Sequence, residues 1–411
     1  MRASQVNLRC PAWERAPMRD TLKSVLPLLA ATALMLTGNG LHFTLTSVVA
    51  GQAGFSAATT GLVGAAYFLG FLLGALAAPW FLGKTGHGRG FAFLMWVTCL
   101  ALVGQWAIVE PVTWALLRFA VGVLAAASFT VIDSWFHYTA HNANRGRVLA
   151  IAAIINLVSL VLGQQLLKVG AAPSPVLFLL SACILAVAAA PLLLTGLQPP
   201  PPASARLPRL HLLAKASPVG VAGQVVAGFV NAPFWVLAPI YVASLGFAEE
   251  TVAPFMSAAI LGAACLQWPV GHMSDRRDRR IVAVVTSMAA SAAGLGLTLG
   301  ASSGEWVVLG AALMFGAFAF PTTNLTNAHL NDRMPKEAMT ETAGGLLVFY
   351  GLFATVGQLV ASGLAELVGI GPFFIYTACV HAGFAVFVLW RIARRAPAAH
   401  KPAEHVDLQA P

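Results

Sequence analysis

The chain has 411 residues, 58% of them hydrophobic and only 9% charged, with a mean hydropathy of +0.78; soluble domains carry roughly 25% charged residues. A water-soluble globular fold is excluded on that count. The net charge of +9 invites a nucleic-acid reading, but Lys and Arg are spread along the chain instead of gathered on one soluble face, so nucleic acid is not an expected partner.

A bilayer core of about 30 Å needs about 20 mostly apolar residues per helix. After an arm at 1–24, such runs occupy 25–50, 60–81, 90–109, 112–135, 148–168 and 175–197. Gln198 and the prolines 199–202 follow, then Arg206, Arg209 and Lys215. Such a stretch cannot continue a helix, and 198–218 reads as a linker. Six further runs occupy 219–245, 252–270, 281–300, 306–325, 344–361 and 373–391, leaving a tail at 392–411. The expected fold is an all-α membrane protein with twelve transmembrane helices in two six-helix bundles, 25–197 and 219–391. The first run is long enough to span and follows a charged arm, unlike a cleavable signal; Met18 is an alternative start. Cys10, Cys99, Cys183, Cys265 and Cys379 show neither paired nor metal-ligand spacing and read as small packing residues.

Along this twelve-helix path every Lys and Arg except Arg118 and Lys168 falls in the arm, the tail or an even-to-odd helix connection. The odd-to-even connections and outer ends instead hold Glu110, Glu249, Glu250, Glu305 and Glu366. That asymmetry places both termini in the cytoplasm of a cell (inner) membrane. The two halves also align. At an offset of 192, Asn39 meets Asn231, Gly54 meets Gly246, Thr59 meets Thr251, Gly70 meets Gly262, and Gly83 and Lys84 meet Asp275 and Arg276. At 194, Gly163 and Gln164 meet Gly357 and Gln358. Two parallel six-helix repeats place a solute site between them, near the middle of the membrane.

Gly271, Asp275, Arg276, Arg279 and Arg280 follow the spacing G-x-x-x-D-R-x-x-R-R, which resembles the signature loop of the major facilitator superfamily after its eighth helix. The first-half copy keeps Pro79, Gly83, Lys84, Gly86 and Arg89 but lacks the acid. Arg118 with Gly122 resembles the R-x-x-x-G pattern of the fourth helix, and Asn144 to Arg147 is similar to the basic loop entering the fifth. The stretch from Ala328 through Asp332 and Arg333 to Gln358 resembles a poorly characterised bacterial branch. The fifth helix, 156–165, lacks the G-x-x-x-G-P-x-x-G-G pattern of drug and proton antiporters. The resemblance covers 25–391 and implies an alternating-access carrier. It also implies that Asp275 caps a helix start across the bundle, where the positive end of a helix favours an anion.

Charges at the cytoplasmic helix ends that pair in one state and separate in the other would bias a rocking motion. The gate candidates are Asp275 with Arg276, Arg279 and Arg280 in the second half, and Asp133 with Lys84, Arg145 and Arg147 in the first. Asp332, Arg333 and Glu341 could act as a weaker equivalent. Arg118 lies about two turns inside its helix, where an unpaired cation is expensive, and no Asp or Glu lies at that depth in the first, fourth, seventh or tenth span. An anionic group of the solute is a candidate partner; backbone carbonyls or snorkelling are the structural alternative. Asn39, His42 and Thr46 share a face, and His42 is the one central proton carrier available for coupling. Asn231, Gln224, Trp235, Gln267, Asn324, Tyr350 and Gln358 supply neutral donors, acceptors and aromatic surface for a solute cavity.

No P-loop, H-E-x-x-H, cysteine cluster or G-x-S-x-G turn is present, so neither an enzyme nor a bound metal or cofactor is expected. The expected protein is a monomeric carrier of a small polar or amphipathic solute, with an anion favoured. An efflux carrier of the same fold and a non-transporting sensor are the alternatives.

Overall fold

The computed structural model describes residues 18–139, 145–170, 175–195, 200, 208–335 and 339–394. Twelve of its helices are long and apolar enough to cross a membrane. They are α1 (Met18–Gln52), α2 (Ala57–Thr85), α3 (His87–Ala107), α4 (Pro111–Thr139), α5 (Arg145–Gln165), α6 (Pro175–Leu193), α7 (Pro218–Ser244), α8 (Val252–Arg276), α9 (Arg279–Leu299), α10 (Glu305–Asn331), α11 (Met339–Val368) and α12 (Phe373–Arg394). No strand occurs among the described residues.

Several helices outrun the apolar stretches that announce them. Hydropathy marks only the part inside hydrocarbon, whereas a helix ends where the backbone is told to stop. Here α2 runs on to Gly86 and α11 to Gly369, whose φ values of 73° and 82° favour glycine. Conversely, α6 ends at Leu193, short of the expected 197, after an irregular step at Ala189 ahead of Pro191. The stretch between the halves carries a short helix, Leu210–Ala216, that starts after Pro208 and packs on α7 and α11. Ser217 then caps α7, its Oγ accepting from the Gly220 N–H at 3.0 Å.

Packing inside one half repeats in the other with six added to each helix number. The pairs α2/α4, α1/α5, α3/α6 and α3/α4 recur as α8/α10, α7/α11, α9/α12 and α9/α10. The repeat extends to single atoms. A Cβ on Gly70 would lie 2.0 Å from the Phe119 carbonyl oxygen, and one on Gly262 would lie 1.9 Å from that of Leu313. A Cβ on Gly122 would meet the Tyr67 oxygen at 2.0 Å, and one on Gly316 the Ala259 oxygen at 1.9 Å. Lipid supplies little hydrophobic drive between helices, so such backbone approaches at small residues carry much of the association. The sequence offsets of 192 and 194 are thus offsets in structure, and the two-residue step falls in the longer connection between α9 and α10.

Leu100, Leu116, Leu299 and Trp306 are exposed on the bundle surface, as lipid-facing side chains are. Cys183, Cys265 and Cys379 share that exposure and are not the packing residues expected of them. The halves meet along α2 against α11, α5 against α8 and α1 against α7.

Candidate functional site

In the first half the polar centre is Arg118 on α4, 1% exposed. Its guanidinium carbon lies 4.3 Å from the centroid of Phe43 and 4.6 Å from that of Tyr67. One terminal nitrogen, Nη1, is 3.4 Å from His42 Nδ1, and Nε has no partner. His42 Nε2 is 2.6 Å from Gln105 Oε1. An arginine can only donate, so Nδ1 must accept and Nε2 must carry the proton that Gln105 receives. A second proton on His42 therefore requires Arg118 to turn away first. No carboxylate pairs with Arg118 among the described residues. Placing an arginine mid-membrane costs at least about 3 kcal/mol, and a desolvated cation over a ring regains about 2 kcal/mol per ring. Phe43 and Tyr67 can thus hold the guanidinium in place while leaving its Nε unsatisfied.

The second half presents a seam between α7 and α10. Gln224 Nε2 donates to Asn327 Oδ1, Asn231 Nδ2 donates to Thr323 Oγ1 at 3.2 Å, and Trp235 stacks on Phe320 at 6.0 Å between centroids. Asn231 ends a π-helical turn, Ala227–Asn231, inside α7, the kind of irregularity that re-aims side chains at functional sites. Its Oδ1 has no partner.

Gln358 on α11 is the most telling polar group. Its repeat mate, Gln164, is satisfied: Oε1 accepts from Thr44 Oγ1 at 2.7 Å and Nε2 donates to the Gly40 carbonyl at 3.1 Å. At the position matching Thr44 the second half has Val236, which has no hydroxyl to donate. Gln358 is 0% exposed, and neither its Oε1 nor its Nε2 has a partner. A buried polar group left unpaired costs about 1–3 kcal/mol, so the second half has given up a hydrogen-bonded plug that the first half keeps. Gln358 faces Gly64 on α2, where a Cβ would lie 3.3 Å from its Cδ. Tyr67 is three residues further on, and the Thr60 hydroxyl, also buried and unpartnered, four residues before. Tyr350, one helix face away, packs edge-on against Phe68 and Phe71, each at 6.1 Å. Within a turn or two of α2 the unpaired groups of both halves are therefore neighbours.

Of the other cavity candidates, Asn39 is half-buried on α1, one turn from His42. Gln267 is half-buried and Asn324 exposed. Neither Gln267 nor Asn324 hydrogen-bonds among the described residues, and Thr323 and Asn327, on either side of Asn324, make the seam. Gln105, Phe43, Tyr67 and Thr60 carry no motif or repeat signal in the sequence. Gln105 sits near the end of an apolar run and passes for a boundary residue, and α2 holds no charged residue between Thr60 and Lys84 to mark it as facing a cavity.

The gate candidates at the face bearing the termini are placed differently. Arg279 joins three partners: Asp275 Oδ1 at 3.1 Å, Asp332 Oδ2 at 2.7 Å and Ser274 Oγ at 2.7 Å. Asp332 thereby belongs to the signature loop cluster. Asp275 does not cap a helix start among the described residues; it pairs one turn along its own chain. Asp278 accepts from the Arg280 N–H at 2.9 Å and its side chain at 2.7 Å, fixing the start of α9. Burial pushes the Asp278 carboxyl up, but the Arg280 hydrogen bonds and charge outweigh it and hold the group below the ordinary aspartate range. Arg333 Nη1 lies against the His329 ring. Arg276 is exposed. In the first half the pair expected between Asp133 and Lys84 is not formed: Lys84 Nζ lies 4.0 Å over the Trp80 ring, and Asp133 is exposed. The cation finds a ring on its own helix one turn away. The side chains of Arg145, Arg147 and Glu341 lie outside the described residues.

Two hydrogen bonds tie the halves together at the opposite face. Glu366 Oε2 on α11 accepts from the Ala58 N–H in the first turn of α2 at 2.9 Å, and Gln165 Nε2 on α5 donates to Ser257 Oγ on α8 at 2.7 Å.

The model of the Major Facilitator Superfamily matches residues 28–344 and 220–411. The uncharacterized MFS-type transporter YcaD of Salmonella newport is 25% identical over 393 residues, covering 95% of this chain and 100% of that one. For YcaD of Escherichia fergusonii the identity is 28% over 225 residues, 54% of this chain and 59% of the relative. Among solved structures, a nucleoside transporter, NupG, superposes with a TM-score of 0.73 at 14% identity, covering 89% of this chain and 98% of that one. A D-xylose-proton symporter superposes at 0.69 and 13% identity, covering 89% and 97%. With matches on both halves, an i to i+6 repeat in its packing and twelve spans, the chain belongs to the Major Facilitator Superfamily and is a multi-pass membrane transporter, not an enzyme.

Proposed function

We propose that the chain is a secondary active carrier of the cytoplasmic membrane, with both termini in the cytoplasm, and that its solute is a small polar organic molecule with an anionic group. The bundles 25–197 and 219–391 rock about a site between them. Arg118 takes the anion and Gln358, Asn231 and Thr60 take neutral hydrogen-bonding groups, while Phe43, Tyr67 and Tyr350 provide the aromatic walls. The observation that carries this reading is Arg118, buried with an unpartnered Nε and no paired carboxylate among the described residues, together with a buried and fully unpartnered Gln358. Solved neighbours named for nucleoside and sugar transport agree with a hydrogen-bonding solute. Proton coupling follows from the same geometry: an anion that draws Arg118 away frees His42 Nδ1, so solute and proton favour each other's binding. The ties at Glu366 and Gln165 support a state closed at the outer face, with Asp275, Arg279, Arg280 and Asp332 acting as the cytoplasmic gate and opposing Asp133, Lys84, Arg145 and Arg147.

Purified protein in liposomes, screened against a panel of metabolites with and without an inward pH gradient, tests the reading. Uptake of an organic anion, stimulated by the gradient, is expected. Val236→Thr restores the partner that Thr44 gives Gln164, and it should raise the melting temperature while weakening solute affinity. Flux confined to cations or uncharged solutes contradicts the role of Arg118, and flux indifferent to the gradient contradicts that of His42.

A further inference from the structure

His42 is not alone: α12 carries a second fully buried histidine, His381, 0% exposed, and neither its Nδ1 nor its Nε2 has a partner. On α9 the Ser287 hydroxyl, also 0% exposed, is unpartnered as well. Register brings the two to one level. Ser291 Oγ on α9 donates to the Ala378 carbonyl on α12 at 2.9 Å. Ser287 lies four residues before Ser291 and His381 three after Ala378. The two helices run in opposite directions, so both residues stand about one turn from that bond, towards the face bearing the termini.

The first half shows what the same place holds otherwise. Its matching bond runs from Cys99 Sγ to the Ala182 carbonyl at 3.0 Å, and Ala182 and Cys183 recur as Ala378 and Cys379. In that register Thr286, Ser287 and His381 stand where the first half has Leu94, Met95 and Leu185, all three buried. The Thr322 hydroxyl of α10 donates to Thr286 Oγ1 at 3.4 Å, so the polar patch joins three helices. Polar groups in place of apolar packing are expensive inside hydrocarbon, and an ionisable one there marks a functional site.

No ion pair accounts for His381. The titratable groups on the helices packed against α12 are placed elsewhere. Arg280, bound to Asp278, begins α9, and His329 and Arg333 lie together at the end of α10. Tyr241 of α7 donates to the Leu297 carbonyl at 2.9 Å, and Glu366 of α11 accepts from Ala58 at the opposite face. On α12 itself, Tyr376 is turned about 140° around the helix from His381, and Arg391 lies in the last turn. Towards the centre, rings step from the imidazole to Phe315 at 6.5 Å, from Phe315 to Phe234 at 5.8 Å and from Phe234 to Trp235 at 5.6 Å. Trp235 belongs to the seam between α7 and α10.

We propose that His381 is a second proton-binding residue of the carrier, with Ser287 as its hydrogen-bonding partner, and that its proton moves with the solute alongside that of His42. The inference rests on the proton-coupled transport proposed above. Both nitrogens of His381 are free, whereas Nδ1 of His42 faces Arg118. The lone pair of the bare nitrogen takes the proton, both nitrogens then donate, and the same nitrogen returns the proton on release. Without a carboxylate to hold it the charge is kept only weakly, as a carried proton must be. Its arrival reaches the solute seam through the ring contacts.

The proton itself is the first probe. Full-length protein labelled with ¹⁵N-histidine, in lipid nanodiscs, is titrated by NMR between about pH 8 and pH 5, where an imidazole changes charge. The His381 signal, identified by its loss in His381→Leu, should pass from the neutral to the imidazolium shift. The double variant His381→Leu with Ser287→Met copies the packing of the first half and replaces the single one if that fails to fold. The second probe is the organic anion that the liposome screen identifies, with the membrane potential clamped at zero. A tenfold opposing anion gradient should be balanced by about half a pH unit in wild type, and by about one unit once His381 is replaced. A His381 signal that stays neutral throughout overturns the proposal, as does a folded variant whose balance point matches wild type. Titration of His381 without flux of any anion faults the transport reading and leaves the proton site standing.

Discussion

Arg118→Ala should abolish uptake of the anionic solute, lowering its affinity at least about 30-fold, since deleting one member of a buried charged pair costs about 2 kcal/mol or more. Arg118→Lys should fall between, because an ammonium keeps the charge but neither stacks flat between Phe43 and Tyr67 nor presents a planar fork to a carboxylate. Comparing the two separates charge from shape. Insertion and monodispersity should survive in both, because the alanine variant removes the one unsatisfied cation of the site and the rings of Phe43 and Tyr67 can close over the space. Unchanged uptake of an identified anion by Arg118→Ala would remove the guanidinium from the site.

Gly122→Ala should destabilise the protein by on the order of 3 kcal/mol, read as a fall in melting temperature in detergent. The added methyl would occupy the position 2.0 Å from the Tyr67 carbonyl oxygen and 2.9 Å from the Phe71 N–H nitrogen. Backbone cannot swing aside as a side chain can, so α2 and α4 must separate. Because Tyr67 also covers Arg118, the same separation loosens the site. Gly316→Ala, the matching position of the second half, should behave alike. Gly310→Ala is the control: nothing lies within 4 Å of its added Cβ, and alanine is the better helix former. Equal melting of Gly122→Ala and Gly310→Ala would contradict the close approach.

Much of this architecture is legible in the sequence, because bilayer thickness and the cost of unpaired backbone leave few ways to arrange such apolar runs. The repeat is legible too: Gly70 with Gly262 at offset 192, and Gly163 with Gly357 at 194, are glycine pairs at which neighbouring backbones touch. What the sequence does not show is satisfaction. Gln164 and Gln358 are the same letter at matching positions, and only the packed structure reveals that Thr44 closes one while Val236 leaves the other open. Arg118 reads as an unpaired cation, but its aromatic box depends on α2 crossing α4 at Gly122, a contact between distant residues. The gate shows the opposite failure. Opposite charges on one membrane face suggest a pair between Asp133 and Lys84, yet Lys84 finds the ring of Trp80 on its own helix, and Asp332, expected as a weaker second gate, joins Arg279 of the signature loop.

The claim that the two bundles rock about a central site is tested most directly by locking the face they now close. Ala58→Cys with Glu366→Cys, in a background without the five native cysteines, places thiols where the Ala58 N–H and the Glu366 carboxylate lie 2.9 Å apart. A short bifunctional thiol reagent then joins α2 to α11. Cross-linked protein in liposomes should lose transport and regain it when the link is cleaved, while still binding solute from the terminal side. Undiminished transport by fully cross-linked protein would contradict alternating access between these bundles.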